Sequence, residues 1–146
     1  VTRGEPAKYL LDTHTVIWGL RGPERLSNLA LNAVLTGELF ISVVSYWETT
    51  VKSMKGNIDP GDLPTWAGMA LEQLNATVVL LRPAHVVGPS TLPAIHKDPF
   101  DRILIAQATV ERLTLVSANA DVARYCSQKL CVIGRLPSTS REGGAR

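Results

Sequence analysis

Five residues of this chain could do chemistry together: Asp12, Glu48, Asp101, Asn119 and Asp121. Asp12 closes the apolar run Lys8-Tyr9-Leu10-Leu11, and Glu48 follows Leu39-Phe40-Ile41-Ser42-Val43. Asn119 and Asp121 follow Leu113-Thr114-Leu115-Val116-Ser117. Asp101 stands in Asp98-Pro99-Phe100-Asp101, where Asp-Pro reads as a helix start with Asp98 at the N-cap. If the apolar runs are parallel strands, these groups meet at the carboxyl edge of one sheet, where ligands of such sheets gather. Carboxylates packed together repel one another unless a cation neutralises them. Oxygen-only ligands suit a hard ion, Mg²⁺ with Mn²⁺ as a possible substitute, rather than zinc. The chemistry that follows is metal-assisted hydrolysis of a phosphodiester.

Each acid also has an ordinary structural reading. Asp12 could simply cap a helix beginning at Thr13, and Ser45-Tyr46-Trp47-Glu48 fits a capping box. Asp101 could return to the N-cap of its own helix, and Asp121 could start the last one. Asp98 reads as a cap rather than a ligand. Lys52 with Lys55, and Lys97 with Arg102, could hold phosphates or could be solvated helix faces. His14, His85 and His96 have no partner at metal-ligand spacing and read as surface or core histidines. What favours a site is that the same kind of position recurs in four places.

The elements that must position these groups alternate along the chain. Strands are expected over residues 8–11, 39–43, 77–81 and 113–117, with a possible edge strand at 130–133. Helical periods run over 13–20, 24–36, 45–56, 63–74, 83–88 and 98–112, and a short helix is expected over 122–127. That alternation predicts an α/β fold, a three-layer α/β/α sandwich with a mostly parallel central sheet. Residues 1–7 read as a flexible N-terminus, 8–134 as one domain, and the Ser/Gly/Arg-rich stretch 135–146 as a disordered tail.

The bulk numbers narrow the class. The 146 residues suffice for one domain with a real core, and 45% hydrophobic against 19% charged residues is a globular composition. A net charge of +2 permits a polyanionic partner without arguing for one. Cys126 and Cys131 match neither a metal spacing nor a disulfide framework, which points to a reducing, cytoplasmic compartment. No signal peptide and no apolar run long enough for a bilayer is evident, so no membrane is expected as a partner.

The chain resembles a PIN-domain ribonuclease of the VapC toxin type. The resemblance is carried by Leu10-Leu11-Asp12-Thr13-His14, by Ser42-Val43-Val44-Ser45-Tyr46-Trp47-Glu48, by the stretch from His96 to Ala108, and by Leu113 to Asn119. The third stretch is the most specific, and together they span about residues 8–134. The resemblance implies a Mg²⁺- or Mn²⁺-dependent endoribonuclease whose three acids fall on Asp12, Glu48 and Asp101. Its fourth acidic position falls on Asn119, where an amide replaces a carboxylate and Ser117 replaces the usual Thr. Asp121 stands two residues on and could supply the missing charge. The resemblance further implies an RNA substrate, a cognate antitoxin that covers the site, and a homodimer.

Two other functions compete. Asp12-Thr13-His14-Thr15-Val16 echoes the nucleophile loop of haloacid-dehalogenase phosphohydrolases, but His14 stands where that loop needs its second Asp. Asn119 favours a PIN-fold RNA-binding or interaction module with weak or lost catalysis; the three intact acids argue against it.

Overall fold

Four apolar runs and a short fifth pair side by side into one parallel sheet. They are β1 (Lys8–Leu11), β2 (Glu38–Ser42), β3 (Thr77–Val79), β4 (Thr114–Ser117) and β5 (Cys131–Ile133), in the order β3-β2-β1-β4-β5. Every neighbouring pair is parallel. The structure, a computed structural model, describes residues 5–88, 98–117 and, for the backbone alone, 131–133. The helices between the strands are α1 (Thr13–Arg21), α2 (Asn28–Thr36), α3 (Val43–Met54), α4 (Leu63–Leu74), α5 (Pro83–Val87) and α6 (Pro99–Glu111).

The strand side chains alternate between two cores, as the two-residue period of a strand requires. Leu11, Leu39, Ile41 and Val116 face one core, completed by Val16, Leu26, Ala30, Ala33, Trp66 and Ala70. Leu10 and Leu115 face the other, with Val44, Leu104, Ile105, Ala108 and Leu113. The sheet is covered on both sides, as the expected three-layer sandwich demands.

Most elements fall within a residue or two of the expectation, and three differences have a visible cause. The helical period over 24–36 is two pieces: a 3₁₀ turn at Pro23–Arg25, an extended Leu26, and then α2. Ser27 makes the break, because its hydroxyl accepts the Ala30 N–H at 3.1 Å and so caps a new helix. The third strand stops at Val79 instead of 81 because its only neighbour runs out: Val79 pairs with Ser42, the last residue of β2. The third helix starts at Val43 instead of Ser45, because the Ser42 hydroxyl accepts the Val44 N–H at 2.9 Å and caps it there. The helix expected over 122–127 and the tail from 135 lie outside the described residues.

Helix α5 is pinned to α6 by a buried histidine. His85 Nδ1 accepts the Arg82 backbone N–H at 3.0 Å, so the neutral ring carries its proton on Nε2. That proton points at Glu111 Oε2, 2.8 Å away, which also takes Arg82 Nη1 at 2.7 Å. His85 is thus a satisfied core histidine.

Chain order sets where a site can form. The chain steps outward from β1 to β2 and β3, then crosses back to lay β4 on the other side of β1. The switch lies beside the carboxyl end of β1, the usual place for a crevice in such sheets. Asp12 is the next residue, and its backbone N–H donates to Val116 O at 3.1 Å.

Candidate active site

Helix α1 begins at the switch point because Asp12 caps it. Asp12 Oδ1 accepts the Thr15 N–H at 2.8 Å, so the plain structural reading of Asp12 is correct as far as it goes. It uses only one carboxylate oxygen; Oδ2 has no partner among the described residues. Asp98 caps α6 in the same way, with Oδ1 accepting the N–H groups of Phe100 at 2.9 Å and Asp101 at 3.4 Å. Asp101 occupies the first turn of α6. Both helices therefore aim the positive end of their dipoles at these carboxylates, which lets negative charge gather there.

Glu48 stands differently. With α3 starting at Val43, Glu48 lies in the second turn and has no capping box with Ser45. Its burial follows from the helical stripe Val44, Ser45, Glu48 and Thr49, which faces inward. Glu48 is 3% exposed, a position in which a carboxylate demands partners. Thr13 Oγ1 lies 2.5 Å from Glu48 Oε1 and 3.1 Å from Ser45 Oγ. Thr13 has one hydroxyl proton, and it donates to the carboxylate. Lys52, one turn further along α3, meets Oε2 at 2.7 Å. Burial alone would lower the Lys52 pKa. The hydrogen bond to Glu48 and the fields of Glu48, Asp98 and Asp101 outweigh that effect and hold it above the ordinary lysine value.

These groups share one cavity of about 250 Å³, lined by Asp12, Thr13, His14, Trp18, Glu48, Lys52, Asp98 and Asp101. The three predicted acids, Asp12, Glu48 and Asp101, are brought together, and Lys52 with them. Asp98, read as a cap, is a cap and also faces the cavity. Arg102 is not among the described residues lining it. Lys97, Asn119 and Asp121 lie outside the described residues. Among the described residues, no three His, Cys, Asp or Glu side chains form a preassembled ion cage. The donor set nonetheless fits a hard divalent cation: the ligating atoms on offer are carboxylate oxygens, and the positive charge of Lys52 already stands against one of them.

Sequence reasoning missed Thr13 and Ser45. Ser45 reads in sequence only as a helix cap, Thr13 earns attention only as the neighbour of Asp12, and the Thr13 bond to Glu48 spans 35 residues. It also passed over Trp18 and left His14 as an unremarkable histidine. Their spacing of four on α1 was the available signal.

The fold is shared with solved structures, two of which are toxin–antitoxin proteins. One is VapBC2 from Rickettsia felis bound to a DNA fragment from their promoter, with a TM-score of 0.59 at 13% identity, covering 87% of this chain and 98% of that chain. Another is a toxin–antitoxin complex from Klebsiella pneumoniae, with a TM-score of 0.59 at 21% identity, covering 85% of this chain and 95% of that chain. At such identities the likeness is one of fold. No curated protein matches the sequence. The PIN domain family matches residues 9–127, a span that includes Asp12, Glu48 and Asp101. By that match the chain belongs to the PIN domain family, whose members are nucleases.

Proposed function

We propose that this chain is a divalent-metal-dependent endoribonuclease and the toxin of a toxin–antitoxin pair, working in the cytoplasm. The observation that carries the catalytic part is Glu48. It is a buried carboxylate with no capping duty, held at the wall of a cavity that Asp12 and Asp101 also line. Asp12, Glu48 and Asp101 would hold Mg²⁺, or Mn²⁺ in its place. Such an ion supplies Lewis acidity at a phosphodiester and lowers the pKa of water. The chain's own residues do the rest. Thr13 fixes the rotamer of Glu48 through its hydroxyl, and Ser45 fixes Thr13. Lys52 balances the acids and, when Glu48 turns to a cation, presents its ammonium to a substrate phosphate. Lys97 and Arg102 would add phosphate contacts. Asn119, or Asp121 in its stead, would supply the fourth position.

The toxin role rests on the two structural neighbours, which are described as VapBC2 and as a toxin–antitoxin complex. On this reading the substrate is RNA, the partner is an antitoxin that covers the acidic cavity, and the chain pairs with a second copy of itself.

The test is Asp101→Asn in the purified full chain, assayed on RNA with Mg²⁺ and with contaminating nuclease excluded. The substitution keeps shape and removes one charge. If Asp101 serves only the helix dipole, the loss is about 0.3–1 kcal/mol of stability and cleavage persists. The expected result is cleavage reduced by orders of magnitude with the fold intact. Asp98→Asn is the control for capping, because Asn caps a helix as well as Asp does, and it should be much milder. Full cleavage by Asp101→Asn would overturn the assignment.

A further inference from the structure

We propose that His14 and Trp18 form a stacking platform for one unpaired nucleobase at the mouth of the acidic cavity. The proposal rests on the nuclease reading of that cavity and adds how the substrate strand is seated. His14 and Trp18 stand one turn apart on the same face of α1, with ring centroids 5.6 Å apart and planes tilted by 42°. Both line the cavity with Asp12, Glu48 and Asp101.

Packing explains only part of this arrangement. On the rest of the first turns of α1, Thr13, Thr15 and Val16 are buried. His14 is exposed, and Trp18 is half-buried, resting on the core below it. Trp66 shows what full use in the core looks like: 4% exposed, with Tyr46 edge-on at 5.6 Å. Trp18 instead keeps part of its ring in the cavity, held firm from beneath. A large ring left in water beside charged groups forgoes burial energy. A nucleobase laid on it would recover that energy.

The placement suits a single strand. Helix α1 carries Asp12 at its N-cap and the aromatic pair within the next two turns, so a base on the platform sets its sugar-phosphate beside the carboxylates. Proteins that take unpaired strands stack bases on aromatic rings, and such stacking accepts any base because every base has a π-face. The platform therefore selects for an unpaired nucleotide at one position and leaves finer sequence choice to other contacts.

The experiment compares the wild-type chain with Trp18→Leu, Trp18→Phe and His14→Ala, each checked for an unchanged melting temperature. Leu keeps the apolar contact with the core and removes the π-face; Phe keeps both in part. Binding is measured in EDTA, which blocks cleavage. The probes are short single-stranded RNA oligonucleotides, each with one abasic ribose at a different position. Cleavage of the same oligonucleotides is measured separately with Mg²⁺. We expect one position at which the abasic ribose weakens wild-type binding by about 5- to 150-fold, the range of a single stacked base. At that position Trp18→Leu should abolish the difference, Trp18→Phe should restore most of it, and KM should rise with little change in kcat. A Trp18→Leu variant that cleaves but retains the full abasic penalty overturns the platform and leaves the nuclease reading standing. A wild-type chain that shows the penalty but cleaves nothing keeps the platform and overturns the nuclease reading. A wild-type chain that shows no abasic penalty at any position overturns the platform, and one that neither binds nor cleaves any of the oligonucleotides overturns both.

Discussion

Replacing Lys52 by Met should destabilise the metal-free protein and make it more responsive to Mg²⁺ than the wild type. Met keeps the apolar stem of the side chain and removes only the charge. The pair it breaks is close, with Nζ 2.7 Å from Glu48 Oε2. Coulomb's law at an effective dielectric of about 20 gives roughly 6 kcal/mol of gross attraction. Most of that offsets the desolvation of a carboxylate side chain that is 4% exposed. Losing a partner costs about 3–5 kcal/mol in a fully buried pair and about 0–1 at the surface. Lys52 is 30% exposed and Thr13 still holds the other Glu48 oxygen, so about 1–2 kcal/mol is expected. For a chain of this size that is a fall of about 3–6 °C in melting temperature. Saturating Mg²⁺ should then raise the variant more than the wild type, because no ammonium competes for Glu48. Differential scanning fluorimetry with and without Mg²⁺ measures both effects. A variant as stable as the wild type without metal, or equal Mg²⁺ shifts in the two proteins, would refute the view that Lys52 stands in for a cation.

Glu111→Gln should flatten the acid limb of the stability curve. The His85 hydrogen bond, more than the Arg82 contacts, holds the Glu111 carboxyl below its ordinary value of 4.5 in the fold. Its contribution is complete above about pH 4.5 and is lost as the pH falls through the depressed folded value, so the wild type should lose urea resistance faster than the variant there. Gly37→Ala should destabilise by about 1–3 kcal/mol in the same urea assay, because an added Cβ would stand 2.3 Å from the Tyr9 ring and 2.9 Å from the Ala33 carbonyl oxygen. An alanine variant of wild-type stability would show that this corner is looser than its geometry.

Much of the site was legible because its residues coincide with boundaries. Leu10-Leu11 running into Asp12, and Asp98-Pro99 opening a helix, announce both the element and the carboxylate at its end. Glu48 was legible as a candidate but for the wrong local reason. Ser42 and Ser45 are equally good caps in sequence; in the structure it is the Ser42 hydroxyl that takes the Val44 N–H, so the helix starts at Val43 and Glu48 is freed from capping. The Thr13–Glu48 bond, the Lys52 pair and the orientation of Trp18 depend on how α1 docks against α3, and no periodicity encodes that. The split before α2 was readable in principle, since Ser27 is a good cap, but the helical period of Leu26, Leu29, Ala30, Ala33 and Val34 runs straight across it and hid it.

The central place of β1 has a consequence for the order in which activity arises during synthesis. Asp12 and Glu48 leave the ribosome early, whereas Asp101 and β4 come late in the chain. Until Val116 arrives, the backbone N–H of Asp12 lacks its acceptor and β1 lacks one of its two neighbours. The proposed catalytic cavity is therefore completed only after more than half of the chain has emerged and the strand drawn from farthest away has docked. A chain truncated before Thr114 carries all three acids but on an unfinished sheet, with β1 lacking its β4 neighbour. The proposed nuclease activity therefore arises only once β4 has docked against β1.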